Sequence, residues 1–203
     1  PSTGPFTHKI ELGARLHYDS VEREHTQRAY QIEAGELATI GDRLQTTADN
    51  EARTLALAMH VIDAVTWRFI TLTGGVRAES IRGESDDRAG GFVERSTQQV
   101  VLPGGGVHVA LPADLGAFFG VNQGFSPIPP GSGGSVRPEK SMNYELGARW
   151  SPKRFRAEVV GFASDYQTLT NVCTFSNGCD PTDLDRQFDG GTALVTGIEA
   201  YVE

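Results

Sequence analysis

The chain has 203 residues, 38% hydrophobic and 22% charged, with a formal net charge of −8, too apolar for simple disorder and too acidic for a nucleic-acid surface. Its 24 glycines and 10 prolines suit strands and turns better than long helices, and no run of about 18 apolar residues is present to cross a bilayer as a helix. A mean hydropathy of −0.29 does not exclude a membrane, because a barrel strand turns only alternate residues to lipid.

The opening, Pro1-Ser2-Thr3-Gly4-Pro5, has neither the basic nor the apolar stretch of a secretion signal, as expected of a mature exported chain or an internal piece of one. From Lys9 to Asp19 the residues alternate. Ile10, Leu12, Ala14, Leu16 and Tyr18 share one face, and Lys9, Glu11, Gly13, Arg15, His17 and Asp19 share the other. On a helix the same residues would scatter apolar groups all round. Leu55 to Val65 alternates more weakly, and its first part, Leu55 to Ile62, is also compatible with a helix. Ile70, Leu72, Val76 and Ala78 then alternate with Thr71, Thr73, Gly75, Arg77 and Glu79.

Weaker alternation runs through Val101 to Leu111 and Leu115 to Phe125. Within the first, Gly104-Gly105-Gly106 lacks the Gly-Lys-Ser/Thr ending of a phosphate loop and reads as a bulge or a close approach between strands. Met142, Tyr144, Leu146, Ala148 and Trp150 alternate with Asn143, Glu145, Gly147 and Arg149. Phe155 to Tyr166 and Ala193 to Glu203 complete a set of eight predicted strands of about 11 to 14 residues, enough to cross an apolar core that needs about 9 to 11.

The connections come in two lengths that take turns. Short ones fall near Trp67-Arg68, Pro112-Ala113-Asp114 and Ser151-Pro152-Lys153-Arg154; long polar ones cover Val21 to Arg53, Gly83 to Gln98, Ser126 to Lys140 and Leu169 to Gly190. Outer-membrane barrels sort their hairpins this way, and Trp67 and Trp150, both at short-turn ends, suit an aromatic belt. Cys173 and Cys179 lie close together in a polar stretch and read as a loop disulfide in an oxidising compartment, the alternative being two unrelated thiols.

These features define an all-β fold, an antiparallel transmembrane barrel segment whose eight strands either close alone or form an arc of a larger barrel. The phrases Gly120-Val121-Asn122-Gln123-Gly124-Phe125-Ser126-Pro127, Pro138-Glu139-Lys140-Ser141 and Asn143-Tyr144-Glu145-Leu146-Gly147 resemble the late-barrel signature of TonB-dependent receptors, and most of all the ferric-dicitrate branch. Leu72-Thr73-Gly74-Gly75-Val76-Arg77-Ala78-Glu79, Gly161-Phe162-Ala163-Ser164-Asp165-Tyr166 and Gly197-Ile198-Glu199 extend the resemblance along nearly the whole chain. The chain departs from the pattern at Gly74, where a proline is common, and at Asn122-Gln123, where a basic or histidine pair is frequent.

The resemblance implies that residues 1–203 are part of a 22-stranded barrel in a Gram-negative outer membrane, without the plug domain and the C-terminal strands. It further implies TonB-dependent import of a ferric chelate such as ferric citrate or a siderophore, with contact to TonB through the plug and to outer-membrane lipid. No nucleic acid, cofactor, metal centre or enzymatic activity is expected. An anionic chelate calls for Arg, Gln and Asn near the outer rim, and the candidates by position are His17, Arg23, Arg82, Asn122, Gln123 and Arg137. The rival reading is a soluble all-β carbohydrate-binding protein or hydrolase, with Glu145 and Glu158 as a carboxylate pair. The two differ at Leu12, Leu72 and Leu146, which a soluble sandwich covers and a barrel leaves bare.

Overall fold

The computed structural model describes residues 2–41, 44–132, 136–180 and 187–203. The strands are β1 (Ser2–Thr3), β2 (Phe6–Gln27), β3 (Tyr30–Glu33), β4 (Glu36–Thr39), β5 (Gln45–Trp67), β6 (Ile70–Asp87), β7 (Phe92–Leu111), β8 (Leu115–Ser126), β9 (Glu139–Trp150), β10 (Ala157–Val172) and β11 (Gln187–Val202). Nine of them form one antiparallel sheet in the order β1-β2-β5-β6-β7-β8-β9-β10-β11, and β3 pairs only with β4. Apart from the β3–β4 insertion, every neighbour in the sheet is a neighbour in sequence. The sheet curves but does not close, so its outer strands keep unpaired edges that hydrocarbon does not tolerate.

All eight predicted strands are present, and Leu55 to Ile62 is strand. Several are longer than expected. The segment predicted as a loop from Val21 to Arg53 is largely strand: β2 pairs with β5 up to Gln27↔Gln45, and the β3–β4 hairpin stands between them. β6 and β7 likewise stay paired out to Asp87↔Phe92, which shortens the predicted Gly83 to Gln98 loop to a tight turn. Beyond the apolar band both faces are wet, so the alternation that marks a strand in the sequence disappears while the backbone ladder continues. Gly104 to Gly106 is not a bulge: the β6–β7 and β7–β8 ladders pass through it without a shift. It is a close approach, since a Cβ on Gly106 would lie 2.8 Å from the Phe119 carbonyl oxygen.

The tight turns rest on residues of positive φ, several of them not glycine. Trp67↔Ile70 leaves Arg68-Phe69 as a two-residue loop, with Arg68 at φ 54°. In the β3–β4 hairpin Ala34 and Gly35 both take positive φ, as a type I′ turn requires. Aromatic rings gather at this short-turn end: Phe6 lies 6.5 Å from Trp67, Phe155 lies 5.3 Å from Trp150, and the Trp150 indole N–H donates to the Ala113 carbonyl.

Register separates the two faces of the sheet. Leu12↔Val61↔Val76↔Pro103 and Leu111↔Leu115↔Trp150↔Ala157↔Val202 are rows on one face, and this face is apolar across the sheet. Among the described residues nothing covers it: Leu12 is 75% exposed, Leu72 57%, Leu146 65% and Ile198 80%. The other face is the concave one, for there Ala58, Ile81 and Val100 are buried. Among the described residues carboxylates interrupt the middle of the apolar side at Asp63, on a level with Ile10 and Gly74 and joined to His8 at 2.8 Å, and at Asp165, between Met142 and Leu194.

Candidate functional site

The concave face is built from side chains that alternate with the apolar set, so its position follows from the same periodicity. From β2 across to β6 it presents Arg15, His17 and Asp19, then Thr54, Ala56 and Ala58, then Arg77, Glu79 and Ile81, around a recess of about 300 Å³. Arg77 donates through Nε to Glu79 at 2.6 Å. Arg15 has no ion pair among the described residues, and it is the cation of this recess with its charge uncommitted.

Beside it lies a wider trough of about 840 Å³ with a floor of main chain. Gly75↔Gly104 and Gly106↔Gly120 are cross-strand pairs, and a Cβ on Gly75 would meet the Val61 carbonyl oxygen at 3.0 Å. His60, bonded to Glu11 at 3.3 Å, and Asn122, which accepts from the Asn143 amide at 3.1 Å, stand at its margins. Further along, Arg149 donates to Glu158 at 2.6 Å, and Arg156 reaches the same oxygen at 3.2 Å. Rings lie flat over glycines of the next strand on this face: Phe118 over Gly147 and Phe162 over Gly197.

The loop after β8 turns inward and covers part of the recess. The Gln98 side chain donates to the Ile128 carbonyl and accepts from the Ile128 amide, both at 2.9 Å, as an adjacent strand would. Pro127 reaches the wall of the Arg15 recess, and Pro130 packs against Gly83, where a Cβ would lie 3.0 Å from its ring. The mouth is thereby narrowed over β6 and β7.

The six residues selected from the sequence divide. His17, Arg23 and Asn122 are on the concave face. Arg82 and Gln123 are not: Arg82 shares a row with Leu55 and Gln123 with Met142, both on the apolar side. Parity explains the error, since Arg82 falls an even number of residues after Leu72, and Gln123 after Phe119. Arg137 lies at the outer end, where its Nε donates to Asp189 at 2.9 Å and its amide to the other oxygen at 3.3 Å. The guanidinium bond first, and the amide bond after it, hold the Asp189 carboxyl below the usual aspartate range. Arg15, His60 and Arg77 join the candidates; the alternation already placed Arg15 and Arg77 on the polar face. Gln98 left no sequence signal, because its partner lies 30 residues away.

In the β10–β11 connection Cys173 and Cys179 are bonded, with Cα atoms 5.7 Å apart. Among the described residues no cluster of three or more His, Cys, Asp or Glu side chains is arranged to hold a metal.

A bare apolar convex face, a polar concave face and long outer hairpins over short inner turns define a segment of an outer-membrane type β-barrel. The chain belongs to the TonB dependent receptor-like, beta-barrel family, which matches residues 2–203. No curated protein matches it in sequence. Among solved structures it is similar to the unliganded ferric citrate transporter FecA, with a TM-score of 0.76 and 22% identity over 99% of this chain and 30% of that one. It is also similar to the ferric-catecholate import receptor Fiu from E. coli K12, with a TM-score of 0.69 and 15% identity over 99% of this chain and 33% of the other. The alcaligin receptor FauA from Bordetella pertussis gives 0.62 and 15% over 99% and 37%. The chain thus spans about a third of the length of these receptors. Members of the family are outer-membrane receptors and transporters of Gram-negative bacteria, not enzymes.

Proposed function

We propose that this chain is an arc of a larger outer-membrane barrel, of the ferric-dicitrate kind, that imports an anionic ferric chelate under TonB control. The observation that carries the reading is the division of faces: a continuous apolar surface outside, and inside it a recess where Arg15 is uncommitted and His17 and Arg77 are adjacent. Citrate and most siderophores present carboxylate or catecholate oxygens, which guanidinium groups bind through paired hydrogen bonds. The glycine trough, bare of side chains, is where a plug domain supplied by sequence outside these residues would lie against the wall, and that plug would carry the contact to TonB.

The soluble carbohydrate-binding or hydrolase alternative fits poorly. Glu158 is held by two arginines, and the face that a sandwich would bury is open.

The test is a binding panel on the complete receptor, with ferric citrate, ferric catecholate and ferric hydroxamate complexes titrated by calorimetry. Ferric citrate binds, and Arg15→Ala weakens it about tenfold, the equivalent of about 1.4 kcal/mol. If no ferric complex in the panel binds, the reading is lost. If catecholates bind and citrate does not, the substrate changes and the transport role stands.

A further inference from the structure

We propose that residues 127–132 are a fixed wall of the Arg15 recess, not a flap that closes over cargo, and that Gln98, which holds them, sets the size of anion the recess admits. The inference rests on the chelate-import reading for what fills the recess; the fixity of the wall does not depend on it.

The first observation is stiffness. Pro127, Pro129 and Pro130 fix φ on both sides of Ile128, and the stretch from 127 to 130 owns a single backbone N–H, that of Ile128. Gln98 takes that N–H and the Ile128 carbonyl together, both at 2.9 Å. Beyond them the Ser132 hydroxyl donates to the Pro129 carbonyl at 2.8 Å and closes a turn, with Gly131 at φ 82°. Such a stretch has little conformational freedom to lose, and its one donor is already spent. It is built to stay where it is.

The second observation is the seat beneath it. Ala58, Ile81 and Val100 are buried although they face the lumen. They occupy two adjoining rows, Ala58↔Glu79↔Val100 and Ala56↔Ile81↔Gln98, so Gln98 stands among them. Ile62 and Leu102, apolar residues of the same face nearer the short turns, stay partly exposed. Gly83, one row further out on β6, is buried, and a Cβ there would lie 3.0 and 3.4 Å from atoms of the Pro130 ring. Apolar side chains on a wet wall are unfavourable unless covered, and here the cover is in place with no cargo present.

The third observation is what the wall bounds. Among the described residues Pro127 alone lines the recess from outside β2, β5 and β6, so the segment supplies the bank opposite Arg15 and His17. The enclosed volume, about 300 Å³, is at the lower end of small-molecule sites, which run from about 300 to 1,000 Å³. A compact chelate fills it. A bulky one, with three aromatic arms around the iron, needs the wall to yield. Gln98 is thus a positioning residue that acts on the cargo through Pro127.

The experiment tethers the wall in the complete receptor by the double substitution Gly83→Cys, Pro130→Cys. A Cβ on Gly83 lies 3.4 Å from that of Pro130, close to the span of about 3.5–4.5 Å that a disulfide bridges. The bond forms without any ligand, and the bridged receptor binds ferric citrate within about twofold of the unaltered one in calorimetry. A folded double variant whose cysteines stay free overturns the proposal, and so does a bridge that abolishes binding. In the Gln98→Ala variant ferric citrate binds about tenfold more weakly, while a ferric tris-catecholate binds no worse than before. A loss shared by both chelates marks a merely structural role and overturns the assignment, as does no loss at all. Should the double variant not fold, Gln98→Ala decides alone. An unaltered receptor that binds neither complex removes the import reading and the size selection with it, an outcome distinct from a bridge that fails to form.

Discussion

Glu145 and Leu146 are adjacent in β9 and belong to different solvents. Leu146 stands among Phe119, Tyr144 and Ala148 on the convex face, 65% exposed with no second layer over it, whereas Glu145 looks into the concave side near Asn143 and Phe162. The same contrast holds along every strand of the sheet. The convex side is shallow and largely apolar across its middle, where Asp63 and Asp165 interrupt it, and it gains charged residues such as Arg53, Arg82 and Glu84 towards its outer end. The concave side is uneven, with ion pairs, flat-lying rings and a floor of glycine. A surface facing lipid needs only to be apolar, because hydrocarbon imposes no directional partners, while a surface facing a wet, partly filled interior must satisfy each charge separately.

The contrast is broken most severely by charge. Leu146→Arg, near mid-depth, destabilises the complete barrel in a bilayer by about 2–4 kcal/mol in denaturant titrations, while Glu145→Arg changes stability by less than about 1 kcal/mol. Equal costs for the two substitutions would dissolve the assignment of faces. Glycine sharpens the comparison at smaller scale. Gly147→Ala puts a methyl group into the Phe118 ring and costs about 1–3 kcal/mol, the range for overpacking. Gly161→Ala, on the convex side, meets only the Leu146 carbonyl oxygen at 3.9 Å and leaves stability unchanged within about 0.5 kcal/mol. Thermal melts of the two variants side by side measure the difference.

Smaller still is Arg149→Gln, which removes one of two cations from Glu158 and costs about 0.2–1 kcal/mol, because the pair is half-exposed. A larger loss would mean that the concave side is drier than its exposure indicates. The smallest effect is pH-dependent and confined to the outer rim. The Asp189 carboxyl is held below the usual range by Arg137, so the tie is complete above the free aspartate value, about 3.9, and disappears as pH falls through the lower folded value. A carbon-detected titration of Asp189 gives a midpoint below that of a free aspartate; a midpoint at or above it contradicts the Arg137 bond.

Much of this arrangement was legible in the chain. The alternation of Ile10, Leu12, Leu16 and Tyr18 with Arg15 and His17 fixed both the strand and the direction of its side chains, and the two-length rhythm of the connections pointed to a barrel. The rest divides into two kinds. Arg82 and Gln123 have the chemistry of an anion site and lie near loops, but their parity with Leu72 and Phe119 puts them on the other face. The outer thirds of β2, β5, β6 and β7 read as loops in the sequence because, with water on both sides, no hydrophobic contrast remains to betray a strand. The inward turn of the loop after β8 is a different case. It depends on Gln98 meeting main-chain atoms 30 residues away and on Pro130 packing against Gly83, and no local pattern encodes such meetings.

That glutamine also decides what the outside world can touch. Pro127 to Ser132 lies tucked against the inner wall, while the β3–β4 hairpin carries Ile32 at 76% and Leu37 at 70% exposure. The hairpin, paired with itself, stands apart from the large sheet, whereas the segment after β8 follows the wall of the Arg15 recess; a substitution between Tyr30 and Thr39 therefore leaves the shape of that recess alone, and one between Pro127 and Pro130 does not.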